Sequence, residues 1–510
     1  MFILDTMKNK IILICLLAVG LTGCTESFLD ITPETNLSSV TFFKTQADFE
    51  QAVNACYVPL RTIYNDRSWL LSEMHSDNTY YARNTAFGAT EQQEDLADFS
   101  IPVSGGLTTN THVLNQYRQD YLIIARANQV LDLIDKVDFD ATAKANLKGQ
   151  AQFLRGFAYF ELYRYFNKAP LQLKPVTGRE TAAAPLGTAA DLEKIIIDDL
   201  TGAAASLKKK SAQEAGRATS GAAKTVLANL YIIKKDWANA EKLLREVVAD
   251  GGYSLIPDFN NVFSTSTANK NNAESVFEVQ FQEGSNGYNG TFMYNFLPRP
   301  MLEAELKTLS GTSNPQPQTG EGNNIPTPNV IAAFEAGDLR KDASIGYITC
   351  STTLWEGKTY PIIKKYMKTH ALNGNHGMNW PVYRYSEVLL FLAEALNEQG
   401  KTAEAATYMN MVRKRAGLGE TTAADQASFR TALMKERRVE LAFENKRWHD
   451  LVRTDTYKSV ITAYGAEIKA NPFSYYYQKG YTLRSNSFSV IEKYYPMPAD
   501  EAALNPNLTK

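Results

Sequence analysis

Apolar residues recur at helical spacing over most of the chain. In "YSEVLLFLAEALNEQGKTAEAATYMNMVRKRAGL", Val388, Leu389, Leu392, Ala395 and Leu396 follow an i, i+1, i+4, i+7, i+8 pattern that puts them on one helix face. Gly400 ends that helix. A second starts after Thr402, carries Ala405, Met409 and Val412 on one side, and stops before Gly417. The same helix, short polar turn, helix unit occurs in "SGAAKTVLANLYIIKKDWANAEKLLREVVADG", with Leu227, Leu230 and Tyr231 before the turn and Trp237, Ala240 and Leu244 after it. "YLIIARANQVLDLIDKV" followed by "ATAKANLKGQAQFLRGFAYFELYRYF" forms a third pair. Strand signals are fewer. "SVFEVQF" sets Phe277, Val279 and Phe281 against Glu278 and Gln280, and "VIEKYYPMP" is a weaker candidate. The polar stretches "STSTANKNNAES", "SGTSNPQPQTGEGNNIPTP" and "HALNGNHGMN" read as loops. The second has the length of loops that carry function or disorder. The expected fold is therefore mainly α, with stacked helix pairs carrying irregular loops and a few short strands.

The N-terminus has a different pattern, "MFILDTMKNK IILICLLAVG LTGCTESFLD". Lys8 and Lys10 precede an apolar run from Ile11 to Gly20, which is half of the roughly 20 residues that a bilayer crossing takes. Small residues follow, so the segment reads as a secretory signal, with Met7 the better start because it brings the lysines to the front. "LTGC" resembles the lipobox of bacterial lipoproteins, which implies removal of residues 1–23 and acylation of Cys24. Each buried CH₂ contributes about 0.8 kcal/mol, so two or three acyl chains hold such a protein on a membrane that it does not span.

The chain balances 53 basic against 55 acidic residues, for a net charge of −2, and has no field to draw nucleic acid or an anionic membrane face. Nucleic acid is excluded as a partner. Its length calls for two or three subdomains. With Cys15 in the signal and Cys24 lipidated, Cys56 and Cys350 remain. They either form one disulfide or, the favoured reading, stay as buried free thiols that pack as small hydrophobes. Neither has a second ligand at metal-site spacing. His75, His112, His370, His376 and His449 form no HExxH pattern, and GxSxG, Walker A and complete GxGxxG motifs are missing. No catalytic residue, metal or cofactor is expected. A surface glycoside hydrolase survives as a rival, because its two carboxylates need only meet in space, and hydrolysis by the purified protein is its discriminating observation.

The helix pairs look like tetratricopeptide hairpins, and three ordered motifs resemble the C-terminal signatures of SusD/RagB outer-membrane lipoproteins. These are "RYSEVLLFLAEALNEQGKTAEAATYMNMVRKRAGL", "LMKERRVELAFENKRWHDLVR" and "YYPMPADEAALNPNL". "ESFLDITPE" and "AQFLRGFAYFELYRYFNKAPL" extend the likeness to the N-terminal half, with Gly156 standing where the family commonly has Ala. The resemblance divides the chain into a signal peptide at 1–23, a SusD-like N-terminal region at 24–230, the last tetratricopeptide-like hairpin and linker at 231–273, and a C-terminal region at 274–510. It implies a cell-surface glycan-binding lipoprotein of a Gram-negative outer membrane. It also implies a SusC-like TonB-dependent transporter that the protein covers as a lid, with the helical repeats facing that partner. Peptide capture, as in a RagB-like protein, is the alternative within the family. A scaffold that binds only protein is a further rival, distinguished by the lack of a thermal shift with any glycan.

Within the second motif, Met434, Leu441 and Trp448 fall seven apart, which puts Trp448 in the core. Glu436, Arg437 and Glu440 share one turn, where ion pairs contribute a few tenths of a kcal/mol each. A sugar receptor needs flat aromatics beside hydrogen-bonding side chains. "RSWLLSEMHSDNTYYARNTAF" offers the best match, with Asp77, Asn78, Tyr80, Tyr81 and Arg83 in a stretch without a helical stripe. Adjacent tyrosines there are expected to point to different sides. "EGSNGYNGTFMYNFLPRP" is the second, with Tyr288 framed by glycines and Tyr294 following. Trp355 in "STTLWEGKTY" is the third.

Overall fold

Nearly every long helix of the N-terminal half begins on a side chain supplied by its own sequence. In the computed structural model, which describes residues 42–84, 90–100, 106–266, 269–297, 301–316, 322–349 and 359–509, helix α1 (Gln46–Thr62) starts with a capping box between Thr45 and Asp48. Helix α2 (Glu91–Asp98) follows, and Asn110 then caps α3 (Thr111–Leu133). Asp140 caps α4 (Ala141–Phe166), Thr188 caps α5 (Ala189–Ser206), Thr219 caps α6 (Ser220–Ile233) and Asp236 caps α7 (Trp237–Ala249). After a sheet and loop region that includes α8 (Leu339–Ser344), helices resume with α9 (Tyr385–Glu398), α10 (Thr402–Arg415), α11 (Gln426–Glu440), α12 (Arg447–Arg453) and α13 (Tyr457–Ala470). The fold is mainly α, as expected. Among the described residues no helix is long and apolar enough to cross a membrane.

All three expected helix pairs form. They stack in the order α1, α3, α4, α5, α6, α7, α9, α10, with each helix packed on the next. Gly156 lets α4 and α5 come close, since a Cβ there would stand 3.1 Å from both Asp199 Cβ and Leu200 Cγ. Beside it, Arg155 forms a two-pronged ion pair with Asp199, each bond 2.8 Å long. The expected division at 230/231 falls inside α6. Helix α7 packs against α9 across the intervening sheet region.

Among the described residues eight short strands form four antiparallel pairs: Ala169–Pro170 with Leu186–Gly187, β1 (Thr79–Tyr80) with β3 (Ile325–Pro326), β2 (Ser275–Val279) with β6 (Trp380–Arg384), and β4 (Ile345–Thr349) with β5 (Thr359–Ile363). The alternation read in "SVFEVQF" does form a strand, but both of its faces are buried. Glu278 lies inside because it accepts hydrogen bonds from the Asn271 amide at 2.6 Å and from Asn379 Nδ2 at 2.8 Å. "VIEKYYPMP" is not a strand. It lies across the helices, with the Tyr495 amide donating to the Tyr165 carbonyl and its hydroxyl to that of Leu71. Cys56 is a free buried thiol whose pKa burial pushes up to about 12, and Cys350 lies outside the described residues.

The "LMKERRVELAFENKRWHDLVR" motif is not one helix. It breaks after Glu440, where Phe443 and Asn445 take left-handed φ values of 70° and 63°. The Glu73 carboxylate stabilises that break by accepting from the Phe443 amide at 2.9 Å and the Asn445 amide at 3.0 Å. Trp448 is in the core as expected, though it reaches there from α12 rather than from one face shared with Met434.

The charges of the same motif do not make local surface pairs. Glu440 is wholly buried and meets Arg384 Nη1 at 2.8 Å, Arg340 Nη1 at 3.0 Å and the Arg415 guanidinium. Arg384 also bonds Glu444 Oε2 at 2.7 Å and Glu274, Arg340 bonds Asp338 Oδ2 at 2.8 Å, and Lys365 bonds Glu444 Oε1 at 2.7 Å. Burial alone would raise the Glu440 carboxyl pKa, but Arg415, Arg384 and Arg340 together hold it far below the usual carboxylate range. Removing one member of such a network leaves the others charged, buried and unpaired. Arg384→Ala is therefore expected to lower the unfolding free energy by about 3–5 kcal/mol in urea denaturation. A loss within the ~1 kcal/mol of an exposed ion pair would contradict this role.

Candidate functional site

The turn that follows Ser72 leads into β1, and β1 is held by its pairing with β3. This geometry turns the segment from 77 to 84 inward. Asp77 is buried between Arg447, whose Nε donates to Oδ1 at 2.7 Å, and Arg438, 2.9 Å from Oδ2. Desolvation raises its carboxyl pKa, but the two guanidinium groups outweigh that and hold it below the usual range. Asn78 donates to Glu73 Oε1 at 2.9 Å and accepts from Arg438 Nε at 2.8 Å. Both residues join the N-terminal segment to α11 and α12, and both lie away from solvent.

Tyr80 and Tyr81 are wholly buried, so the aromatic platform expected of them is not presented to solvent. Nor do they diverge. Their ring centroids lie 4.5 Å apart, and both hydroxyls donate to Asp98, at 2.5 Å and 3.0 Å. The reason is that β1 ends at Tyr80, so strand alternation does not carry through to Tyr81. Asp98 accepts a third hydroxyl from Ser487 at 2.9 Å, yet desolvation still leaves its carboxyl pKa raised. Arg83 is the half-exposed edge of this cluster and forms an ion pair with Glu94. Burial raises the Glu94 pKa to about 7 despite that pair. Tyr294 is also buried, its hydroxyl bonded to the His370 ring. Trp355 and Cys24 lie outside the described residues.

Among the described candidates Tyr288 is the aromatic one at the surface, 45% exposed. Its ring carries the Arg61 guanidinium 4.6 Å from its centroid. Pro59 lies in the last turn of α1, just before Arg61, and a widened helical turn over Ile63–Arg67 follows. That turn presents Asn65, whose Oδ1 accepts from the Thr291 amide at 2.7 Å and the Phe292 amide at 3.1 Å. The Tyr288 segment is thereby pinned to the end of α1.

Arg61 also lines a groove of about 360 Å³ between the second half of α1, the segment from Glu214 to Arg217, and the end of β2. Tyr57, Asn54, Arg217 and Gln280 supply polar lining, and Leu60 and Phe277 apolar lining. A recess of about 120 Å³ continues it past Phe277 and Glu278 to Lys210. Lys210 donates to the carbonyls of Asn272 and Ser275, and burial lowers its pKa to about 8. Gly216 holds the wall close. Its φ of 83° suits glycine, and a Cβ would stand 2.8 Å from Gln280 Cγ. The sequence patterns pointed to Tyr288 but not to Arg61, Tyr57 or Gln280. No local pattern marks them, because the groove is assembled from three separate segments, at 54–61, 214–217 and 277–280.

A larger cleft of about 610 Å³ lies among α7, α9, α11 and α12, with Trp237 and Met434 in its lining. Its polar groups largely neutralise one another, as in the Arg430–Glu398 and Arg453–Glu394 ion pairs. The groove at Arg61 supplies hydrogen-bonding groups, and the exposed Tyr288 ring lies against Arg61 beside it, so that an aromatic surface and polar groups adjoin as they do in ligand sites.

Residues 353–510 match a family model described as the SusD family, and residues 27–232 match one described as starch-binding associating with outer membrane. SusD-like protein P2 of Formosa agariphila is 27% identical, over 91% of this chain and 94% of its own. Among solved structures, surface glycan-binding protein A from Bacteroides uniformis superposes with a TM-score of 0.70 at 24% identity, over 91% of this chain and 98% of its own. A laminarin-binding SusD-like protein superposes with a TM-score of 0.70 at 22% identity and the same coverages. These likenesses establish a shared fold.

Two outcomes follow from the buried cluster. Tyr80→Ala is expected to cost about 3–5 kcal/mol of stability in chemical denaturation, the range for deleting a large buried ring; an unchanged midpoint would put that ring outside the core. A carboxyl pKa raised on folding stabilises fully below the unfolded value of 4.5, and that contribution is lost as pH rises through about 7. The stability of Glu94→Gln relative to the unsubstituted protein should accordingly rise across this window in denaturation curves measured at several pH values. A difference that stays flat from pH 4.5 to 7 would contradict the burial of that carboxylate.

Proposed function

The chain belongs to the SusD/RagB family, and on that premise we propose that it is a cell-surface glycan-binding lipoprotein. It captures oligosaccharides or polysaccharides and delivers them to a partner TonB-dependent outer-membrane transporter, over which it sits as a lid. The observation that carries the binding reading is the exposed Tyr288 ring, fixed by Arg61 at the rim of a groove lined with polar groups. A pyranose ring has apolar C–H faces and a rim of hydroxyls, so it needs one flat aromatic and several donors and acceptors beside it. Arg61, Arg217, Asn54 and Gln280 supply the second requirement, and Tyr288 the first.

Attachment rests on the "LTGC" motif at Cys24, and the description of the matched N-terminal family supports association with the outer membrane. Long glycans suit this arrangement, since repeated units raise the effective concentration at a site that holds each ring weakly.

Calorimetry of the full chain in detergent micelles, against plant, host and microbial glycans and mixed peptides, tests the reading. A glycan is expected to bind without being hydrolysed. Tyr288→Ala should weaken it at least tenfold, about 1.4 kcal/mol, with the melting temperature unchanged. A peptide ligand, hydrolysis, or glycan binding indifferent to Tyr288 would overturn the function or the site respectively.

A further inference from the structure

The groove beside Tyr288 has an uneven distribution of charge. Its walls and recess carry the cations Arg61, Arg217 and Lys210 and the carboxylates Glu214 and Glu278. Arg217 is neutralised by its ion pair with Glu214. Glu278 is satisfied by the Asn271 amide and Asn379 Nδ2. Lys210 faces two backbone carbonyls, which use two of its three N–H donors. Arg61 is different again: among the described residues it forms no ion pair, and its aromatic partner is the Tyr288 ring.

Stacking uses the flat face of a guanidinium and leaves the N–H fork in its plane. That fork matches a carboxylate or a sulfate in a two-pronged, charge-assisted arrangement. The Tyr288 ring holds Arg61 in place before any ligand arrives, which reduces the side-chain ordering that binding requires. The pinned loop also keeps an aromatic surface beside the cation, so ring stacking and anion recognition fall within reach of one sugar unit.

We propose that this groove selects acidic glycans, with the Arg61 guanidinium receiving a uronate carboxylate or a sulfate ester of the saccharide. The proposal rests on the glycan-binding reading and specifies its substrate class. Lys210, in the continuous recess, carries a second positive charge toward which a neighbouring acidic unit is drawn. The local balance of three cations to two carboxylates stands out in a chain whose overall charge is −2.

The test uses matched ligands on the full chain in detergent micelles. One pair is an oligouronate and its carboxyl-reduced neutral counterpart, and the other is a sulfated oligosaccharide and its desulfated form. At least one acidic member should bind at least tenfold tighter than its neutral counterpart, and more weakly as salt is added. The two pairs tell carboxylate from sulfate. Arg61→Gln should abolish the preference by weakening the acidic ligand at least tenfold more than its neutral counterpart, and Arg61→Lys, which keeps charge without the fork, should restore part of it. Neutral ligands binding as tightly as acidic ones, or Arg61→Gln weakening both equally, would overturn the proposal. Binding of neutral glycans alone would overturn it and spare the glycan-binding reading, whereas silence with every glycan overturns both. The wild-type comparison decides acid preference even if a variant fails to fold.

Discussion

The buried Glu440 carboxylate is the point on which the C-terminal half is assembled. Arg340 reaches it from α8, Arg384 from β6 and Arg415 from α10, while Glu440 itself closes α11. Each charge taken out of water costs several kcal/mol unless its partners are in place, so the arrangement tolerates few alternatives. The network is therefore better understood as fixing geometry than as a surplus of stability. Arg384 sits in the strand that pairs with β2, and the far end of β2 walls the Tyr288 groove. The rigidity of the groove is in this way linked to charges buried elsewhere in the domain.

The N-terminal half uses a different physics. Its helices are capped locally and joined by close backbone approach, as at Gly156, where α4 meets α5. This stack delivers α1 to one side of the groove and the loop around Gly216 to another. The two halves are stitched by a few buried polar contacts. Glu73 stabilises the break between α11 and α12, and Asp77 is held by Arg438 and Arg447. The residues from Glu73 to Arg83, rich in groups that a sugar site also uses, are for the most part committed to this joint.

That commitment explains where sequence reasoning and structure part. Tyr80, Tyr81, Asp77 and Asn78 have the composition of a ligand loop, and the same donors and acceptors equally satisfy a buried seam. Glu436, Arg437 and Glu440 are neighbours on one turn, but their partners are Arg340, Arg384, Glu387, Arg413, Arg415 and Asp450. Tyr288 stayed outside because glycines hold its segment in a surface loop and Asn65 pins the segment just beyond it, at Thr291 and Phe292. Arg61 carried no local signal, since its significance comes from a ring some two hundred residues further along the chain.

By itself, the sequence determined the helix pairs and their turns, the core position of Trp448 and the family resemblance. These depend on side-chain periodicity and short motifs, which act over a few residues and survive in any surroundings. The tertiary structure alone decided which polar side chains are buried, where the second motif breaks, and which aromatic faces solvent. Burying a polar or charged group is favourable only when partners from distant segments complete its hydrogen bonds, and those partners are brought together only by the fold.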